Sequence, residues 1–231
     1  MIPNRMDHKT RAPHPNPFDL IDLPGFVPYD DGLALQDEMV AKRRAGAIRD
    51  TVVLLEHEPV FTIGRTRDQS SLGPVALLPH PVREINRGGQ ATYHGPGQLT
   101  GYLHIDLVPH HCDLHRYLRL IEDVLIKACA DFGVVAQARP GLTGVWVAER
   151  KLASIGVGVR HWITMHGFGI NLASEALRGF QAITPCGLDG VCMTCLDAEA
   201  GRPITRAAFT AALVPALADA LRQSAAAGGR R

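Results

Sequence analysis

Three β-rich pieces, "GVWVAE" (144–149), "KLASIGVGV" (151–159) and "WITMHGFGINL" (162–172), follow one another with almost nothing between them. The first two are joined by a tight polar turn at Glu149-Arg150, which marks them as a hairpin. "TVVLLEH" and "PVFTIG" predict two further strands around a tight break at Glu58-Pro59, and "LTGYLHIDL" predicts another. Strands and helices do not alternate regularly along the chain, which argues against a doubly wound parallel sheet. The expected fold is α+β: a mixed, largely antiparallel sheet flanked by helices.

The helices are few and long. Leu33, Leu35, Met39, Val40 and Ala41 are roughly helically spaced and predict an amphipathic helix over 31–47. Leu114, Tyr117, Leu118, Ile121, Val124, Leu125, Ala128 and Phe132 keep the i, i+3, i+4, i+7 rhythm of a longer one that ends at Gly133. Thr205 to Arg222 predicts a closing helix, with Pro215 as a kink or break.

At 231 residues the chain fits one catalytic-sized domain, expected over 18–223. Residues 1–17 are polar and proline-rich, a mobile arm with no apolar segment that would make a secretory signal. Residues 224–231 predict a flexible tail. A net charge of +1 gives no electrostatic footprint for nucleic acid or an acidic membrane surface. No run approaches the roughly 20 apolar residues of a membrane span. The five cysteines (Cys112, Cys129, Cys186, Cys192, Cys195) are an odd set in a chain too long to need disulfide staples, which indicates free thiols in a reducing cytoplasm.

The chemistry-bearing residues begin with "RGGQATYHGPGQ" (87–98). It has neither GxxxxGK[ST] spacing nor a GxGxxG that opens a helix, so it is not a phosphate loop. Its glycines let a ligand touch backbone N–H groups while Arg87, Tyr93 and His94 reach in. Lys151 begins a strand of small and apolar residues; beside a cleft, its ammonium would be partly desolvated and useful as a base. In "ITPCGL", proline before and glycine after Cys186 hint at a turn that presents the sulfur. A thiol near pKa 8.5 needs a cation or base to act at neutral pH, and Lys151, His94 and His166 are the candidates. Cys192 and Cys195 form a CxxC that could join Cys186 and His166 on zinc, but the paired, regularly spaced knuckles of structural zinc are missing. His57, His80, His110, His111 and His161 are expected at the surface or in local hydrogen bonds.

In order, "LLEHEPVFTIGR", "RGGQATYHGPGQLTGY", "GVWVAERKLASIGV", "HGFGINL" and "ITPCGL" resemble the octanoyltransferase family of lipoate biosynthesis, over roughly Thr51 to Leu196. Asn86, Leu103 and Cys195 stand where that family commonly has aspartate, proline and serine. The resemblance implies the fold of biotin and lipoate protein ligase catalytic domains, with no cofactor and no metal. It implies transfer of an octanoyl group from octanoyl-acyl carrier protein to a lysine on lipoyl domains of 2-oxoacid dehydrogenase E2 subunits or the glycine cleavage H protein. Position by position, Cys186 matches the acyl-accepting nucleophile and Lys151 the group that lowers its pKa. Arg87, Gly88, Gly89, Gln90, Ala91, Thr92, Tyr93 and His94 match one acyl-binding segment. Ser154, Ile155 and Gly156 match a second, and Gly167, Phe168 and Gly169 a third.

Those residue types suit the reaction. One thioester replaces another at little cost, and the amide that follows is strongly downhill, so no nucleotide need be consumed. The oxyanion needs donors, for which backbone N–H groups near Cys186 or the His94 side chain are candidates. Burying a C8 chain contributes about 5 kcal/mol at ~0.8 kcal/mol per methylene. The alternative is an ATP-dependent lipoate or biotin protein ligase on the same fold, which would need no cysteine.

Overall fold

The computed structural model describes residues 16–65, 69–184 and 190–228. In chain order these form β1 (Asp19–Val27), α1 (Tyr29–Arg44), β2 (Thr51–His57), β3 (Val60–Ile63), β4 (Val82–Glu84), β5 (Thr92–His94) and β6 (Gln98–His104). There follow α2 (Leu114–Ala130), β7 (Gln137–Arg139), β8 (Leu142–Val147), β9 (Arg150–Arg160), β10 (Ile163–Asn171), β11 (Cys192–Met193), α3 (Leu196–Ala200) and α4 (Arg206–Gly228).

The large sheet runs β1-β2-β6-β10-β9-β8-β7, with β11 added beside β9. Its pairs are antiparallel except β1–β2 and β9–β11. The fold is therefore α+β on a mixed, largely antiparallel sheet. The break at Glu58-Pro59 does more than separate two strands: β2 belongs to the large sheet, while β3 is the centre of a second, three-stranded sheet ordered β4-β3-β5. β9 and β10 meet at His161-Trp162, both with positive φ (54° and 62°), the paired left-handed conformation that suits a two-residue hairpin.

Both faces of the large sheet are covered, which is why β2 reads as a nearly unbroken apolar run. Val52 and Leu54 face a core built with Ile121, Val124 and Leu125 of α2 and Phe209, Leu213 and Leu217 of α4. Val53 and Leu55 pack on the opposite side with Tyr102. α1 crosses that side, where Val40 meets Ile163 and Met165. Asp113 caps α2 by accepting the Arg116 N–H, and Thr205 accepts the Ala208 N–H just ahead of α4.

Several sequence expectations shift. β1 gives little signal because it is an edge strand, exposed at most positions and broken in register between Asp22 and Phe26. α1 starts at Tyr29 and stops at Arg44, and its buried stripe is Tyr29, Gly32, Gln36, Met39 and Val40 rather than the leucines. α4 runs through Pro215 without a break. Pro215 and Ala211 both lie on the exposed side, where water can take the carbonyl that loses its amide partner. α4 also continues to Gly228, so residues 224–228 of the expected tail are helical. Residues 1–15 of the arm and 229–231 lie outside the described residues. No helix among the described residues is long and apolar enough to cross a membrane.

The central strands leave no room for a side chain at Gly101 of β6. A Cβ there would stand 2.3 Å from the Phe168 ring on the neighbouring β10. Gly101→Ala is expected to lose about 2 kcal/mol in urea unfolding, from overpacking in a sheet covered on both sides.

Candidate active site

A cavity lies between α1, the Arg87–Gln90 loop, β5 and the middle of β6, β10 and β9. It encloses about 530 Å³ including its mouth and is called the slot below. Arg87, Gly88, Gly89, Gln90, Thr92, His94, Ser154, Ile155, Gly156, Gly167, Phe168 and Gly169 line it. Ala91 and Tyr93 do not. β5 alternates, so Thr92 and His94 face the slot while Ala91 and Tyr93 turn into the core of the small sheet with Phe61 and Phe180. The sequence reading missed Tyr29, Gln98, Thr100 and Tyr102 and named His166 only as a partner for the thiol or for zinc; these five complete the lining.

Arg87 shapes the loop more than it reaches into the slot. Its Nη1 donates to the carbonyls of Gly88 (2.9 Å) and Gln90 (3.0 Å), and its Nη2 donates to the carbonyl and hydroxyl of Thr62 on β3. The loop is also pinned to β9, where the Gly88 N–H donates to the Val157 carbonyl at 3.2 Å. These approaches leave no space for side chains. A Cβ at Gly64 would fall 2.0 Å from the Gly89 carbonyl oxygen, and one at Gly156 would fall 3.0 Å from that of Gly88.

Beneath α1, the rings of Tyr29, His57, His94 and Tyr102 pack together, and their hydrogen-bond partners fix the tautomers of the two histidines. His57 Nδ1 lies 2.8 Å from the Val27 carbonyl, which can only accept, so Nδ1 carries the hydrogen and Nε2 accepts from the Tyr102 hydroxyl at 2.6 Å. The Tyr102 oxygen is then available to accept from Tyr29. Gln98 Nε2 donates to the Tyr93 carbonyl and to Asn171 Oδ1, which leaves Gln98 Oε1 as the acceptor for His94 Nδ1 at 2.7 Å. Asn171 is fixed in turn by donating to the Thr194 carbonyl. A neutral His94 therefore carries its hydrogen on Nδ1 and leaves Nε2 as an acceptor. This corrects the expectation that His94 donates to an oxyanion; the ring suits accepting from an N–H.

Burial keeps these imidazoles neutral. It pushes His57 down to about 4, and it holds His94 well below the usual histidine range with help from His57 and the Arg87 guanidinium. Burial, then Arg87 and His104, push His166 down to about 3. His166 also has φ +60° inside β10, a conformation costly for a non-glycine residue, and its N–H donates to Gln36 Oε1 of α1 at 2.6 Å. His57 is buried and central rather than a surface residue.

Lys151 lies across the β9 wall from the slot. It is 2% exposed, its Nζ stands 5.3 Å from the centre of the Trp146 ring, and it lines a second cavity with Arg65, Leu114, Leu118 and Leu142. The two cavities share Gly88, Gly89, Gln90, Ile155 and Gly156. Cys186 lies outside the described residues. Cys112, Cys129, Cys192 and Cys195 are free thiols, and no group of three or more metal-ligating side chains occurs among the described residues.

The model of the lipoyl protein ligase A/B catalytic domain matches residues 28–218. An octanoyltransferase of Geotalea uraniireducens is 50% identical over 182 residues, 79% of this chain and 83% of that one. The chain belongs to the octanoyltransferase family. Among solved structures, the bi-partite lipoate protein ligase of Thermoplasma acidophilum aligns at TM-score 0.66 and 13% identity, covering 93% of this chain and 90% of that one. Aquifex aeolicus biotin protein ligase aligns at 0.53 and 11%, covering 90% and 70%. At such identities these likenesses establish the fold alone, the fold expected from the sequence. None of the three departures from the octanoyltransferase pattern lines the slot: Asn86 is exposed, Leu103 lies in the α2–α4 core, and Cys195 is buried ahead of α3.

The neutral imidazoles make stability fall with acid. Their folded-state values lie below the unfolded value of about 6.5, so the unfolded chain takes up protons first as pH falls. Their contribution is complete above about pH 6.5 and is lost towards pH 4 and below. The thermal midpoint is expected to drop across that window, and less steeply in His57→Asn, as followed by circular dichroism.

Proposed function

We propose that the slot and the Lys151 cavity serve two successive acyl transfers through one cysteine. Family membership makes the chain an acyltransferase that moves an octanoyl group in protein lipoylation, with lipoyl domains as its protein substrates. In our reading the donor is octanoyl-acyl carrier protein, the octanoyl tail occupies the slot, and Cys186 carries the acyl group as a thioester. The accepting lysines are those of lipoyl domains in 2-oxoacid dehydrogenase E2 subunits and the glycine cleavage H protein.

The steps balance with a Cys186 thiolate and a Lys151 ammonium at rest. The thiolate attacks the carrier thioester; a new C–S bond forms, the old one breaks, and the departing carrier sulfur takes the Lys151 proton. Neutral Lys151 then accepts the proton released when the lipoyl-domain amine attacks. The new C–N bond forms, the Cys186 thiolate leaves, and the resting pair is restored. Which partner holds the proton is a property of the pair, not of either residue. His94 Nε2, an acceptor beside the slot, suits holding the other N–H of the incoming amine.

The observation that carries this reading is the shared wall: a narrow slot lined by Ile155, Phe168 and glycine backbone meets the cavity of Lys151 across Gly88, Gly89, Ile155 and Gly156. The chain around Cys186 supports it from both sides. The Thr184 N–H donates to the Ser71 carbonyl, and the Ser71 hydroxyl accepts from Ala91 beside the slot. After Gly190, Met193 pairs with Lys151 itself, and the Thr194 N–H donates to the Lys151 carbonyl at 2.9 Å.

Mixing the protein with octanoyl-acyl carrier protein, without ATP, is expected to add one octanoyl mass on Cys186 by intact-protein mass spectrometry. Cys186→Ala abolishes the gain, and Lys151→Ala slows it about 10²-fold or more. A gain that persists in Cys186→Ala would place the nucleophile elsewhere.

The slot itself is tested at Gly156, where an added side chain meets Gly88 and the Arg87 stem. Gly156→Val is expected to slow loading from an octanoyl thioester about tenfold while loading from an acetyl thioester changes little. Equal slowing of both would remove the octanoyl tail from this cavity.

A further inference from the structure

α2 buries an apolar stripe of Tyr117, Ile121, Val124, Leu125 and Ala128, and one carboxylate lies among them. The Glu122 side chain is 0% exposed; its Oε1 accepts the Gly144 N–H at 2.9 Å, and its Oε2 pairs with Arg119 at 2.7 Å. A buried carboxylate paired with a half-exposed arginine is weak evidence of stabilisation.

Gly144 links that carboxylate to the reaction. Its φ of +132° suits glycine, and a Cβ there would lie 2.8 Å from Lys151 Cε and 3.4 Å from Lys151 Nζ. One face of this glycine is thus held by Glu122, and the other lies against the Lys151 ammonium. Two residues along β8, Trp146 presents its ring to the same Nζ at 5.3 Å. A β-bulge between Val145 and Trp146 leaves Leu152 without a cross-strand partner and re-aims Lys151. The other charges facing this region are Arg119 and Asp123 on α2, Arg139 over the Trp146 ring, and Arg65 in the Lys151 cavity.

We propose that Glu122 is a positioning residue for the acyl transfer: it fixes Lys151 through Gly144 and by its negative charge keeps Lys151 an ammonium, and so the resting pair a thiolate and an ammonium. Burial, with Asp123, holds the Glu122 carboxyl above the usual carboxylate range, and the Gly144 N–H, Arg119 and Lys151 offset part of that rise. The inference rests on the Cys186–Lys151 reading above, in which Lys151 gives its proton to the departing carrier.

The test is the pH profile of single-turnover octanoyl loading onto Cys186. Glu122→Gln keeps the bond to Gly144 but removes the charge, and is expected to move the alkaline limb about one pH unit lower. Arg119→Ala, at a half-exposed position, leaves Glu122 less neutralised and moves that limb higher. Limbs that superimpose on the native one, or shift in the same direction, overturn the inference. If Glu122→Gln does not fold, Arg119→Ala decides alone: a limb that fails to rise overturns it. A native protein that gains no octanoyl mass on Cys186 sinks the acyl-transfer reading instead, whatever the variants do.

Discussion

Everything about the site depends on how Arg87 spends its hydrogen bonds. A guanidinium offers five donors in a rigid fork, and this one donates to backbone carbonyls of its own loop and to Thr62. Carbonyls drawn inward in this way curl the Gly88–Gln90 backbone against β9 and leave a slot on one side and the Lys151 cavity on the other. The positive charge has a second effect at a distance. It lies close enough to His94 and His166 to help keep both rings neutral.

Neutral rings matter because of where they sit. The large sheet is covered by α2 and α4 on one face and α1 on the other, so a charge under α1 would be stranded without water. The rings avoid this by bonding to neutral partners, and the accepting carbonyls of Val27 and Tyr93 set the tautomers of His57 and, through Gln98, of His94. Such fixed polarity is costly to assemble and cannot reorganise when a substrate arrives, which is the property a site for charge-developing chemistry needs.

α2 was legible from its 3.6-residue apolar rhythm, and the central strands from short apolar runs bounded by turn signals. Much of the slot was legible too, since its glycines and the loop that carries Arg87 form one contiguous, unusual string. What escaped was most of the buried face of α1. Its inward stripe contains Gly32, where a Cβ would come within 2.9 Å of His57, and Gln36, which holds the strained His166. Site residues beneath a helix select small and polar partners on that helix, and this erases the apolar rhythm. Tyr29 and Tyr102 were missed for the same reason: a single tyrosine in an ordinary helix or strand carries no local mark, and only the fold brings it to His57. Arg87, His94 and His57 were noticed, but the proton positions on the two histidines depend on Asn171, Tyr102 and Val27, which only the fold brings to them.

The two cavities also explain why one thin wall is made of glycine and small residues. In the proposed reaction an acyl thioester and an amine meet the same carbonyl carbon from different directions, which a barrier no thicker than a backbone would suit. Gly88, Gly89 and Gly156 supply such a barrier, and β9 carries it from Ser154 at the slot to Lys151 at the other cavity within four residues. Lys151 sits on the strand that also forms the slot wall, which ties their separation to strand geometry, about 3.3 Å per residue, rather than to a loop. The bulge at Leu152 interrupts that regularity at the one point where Lys151 must turn towards Trp146 and Gly144.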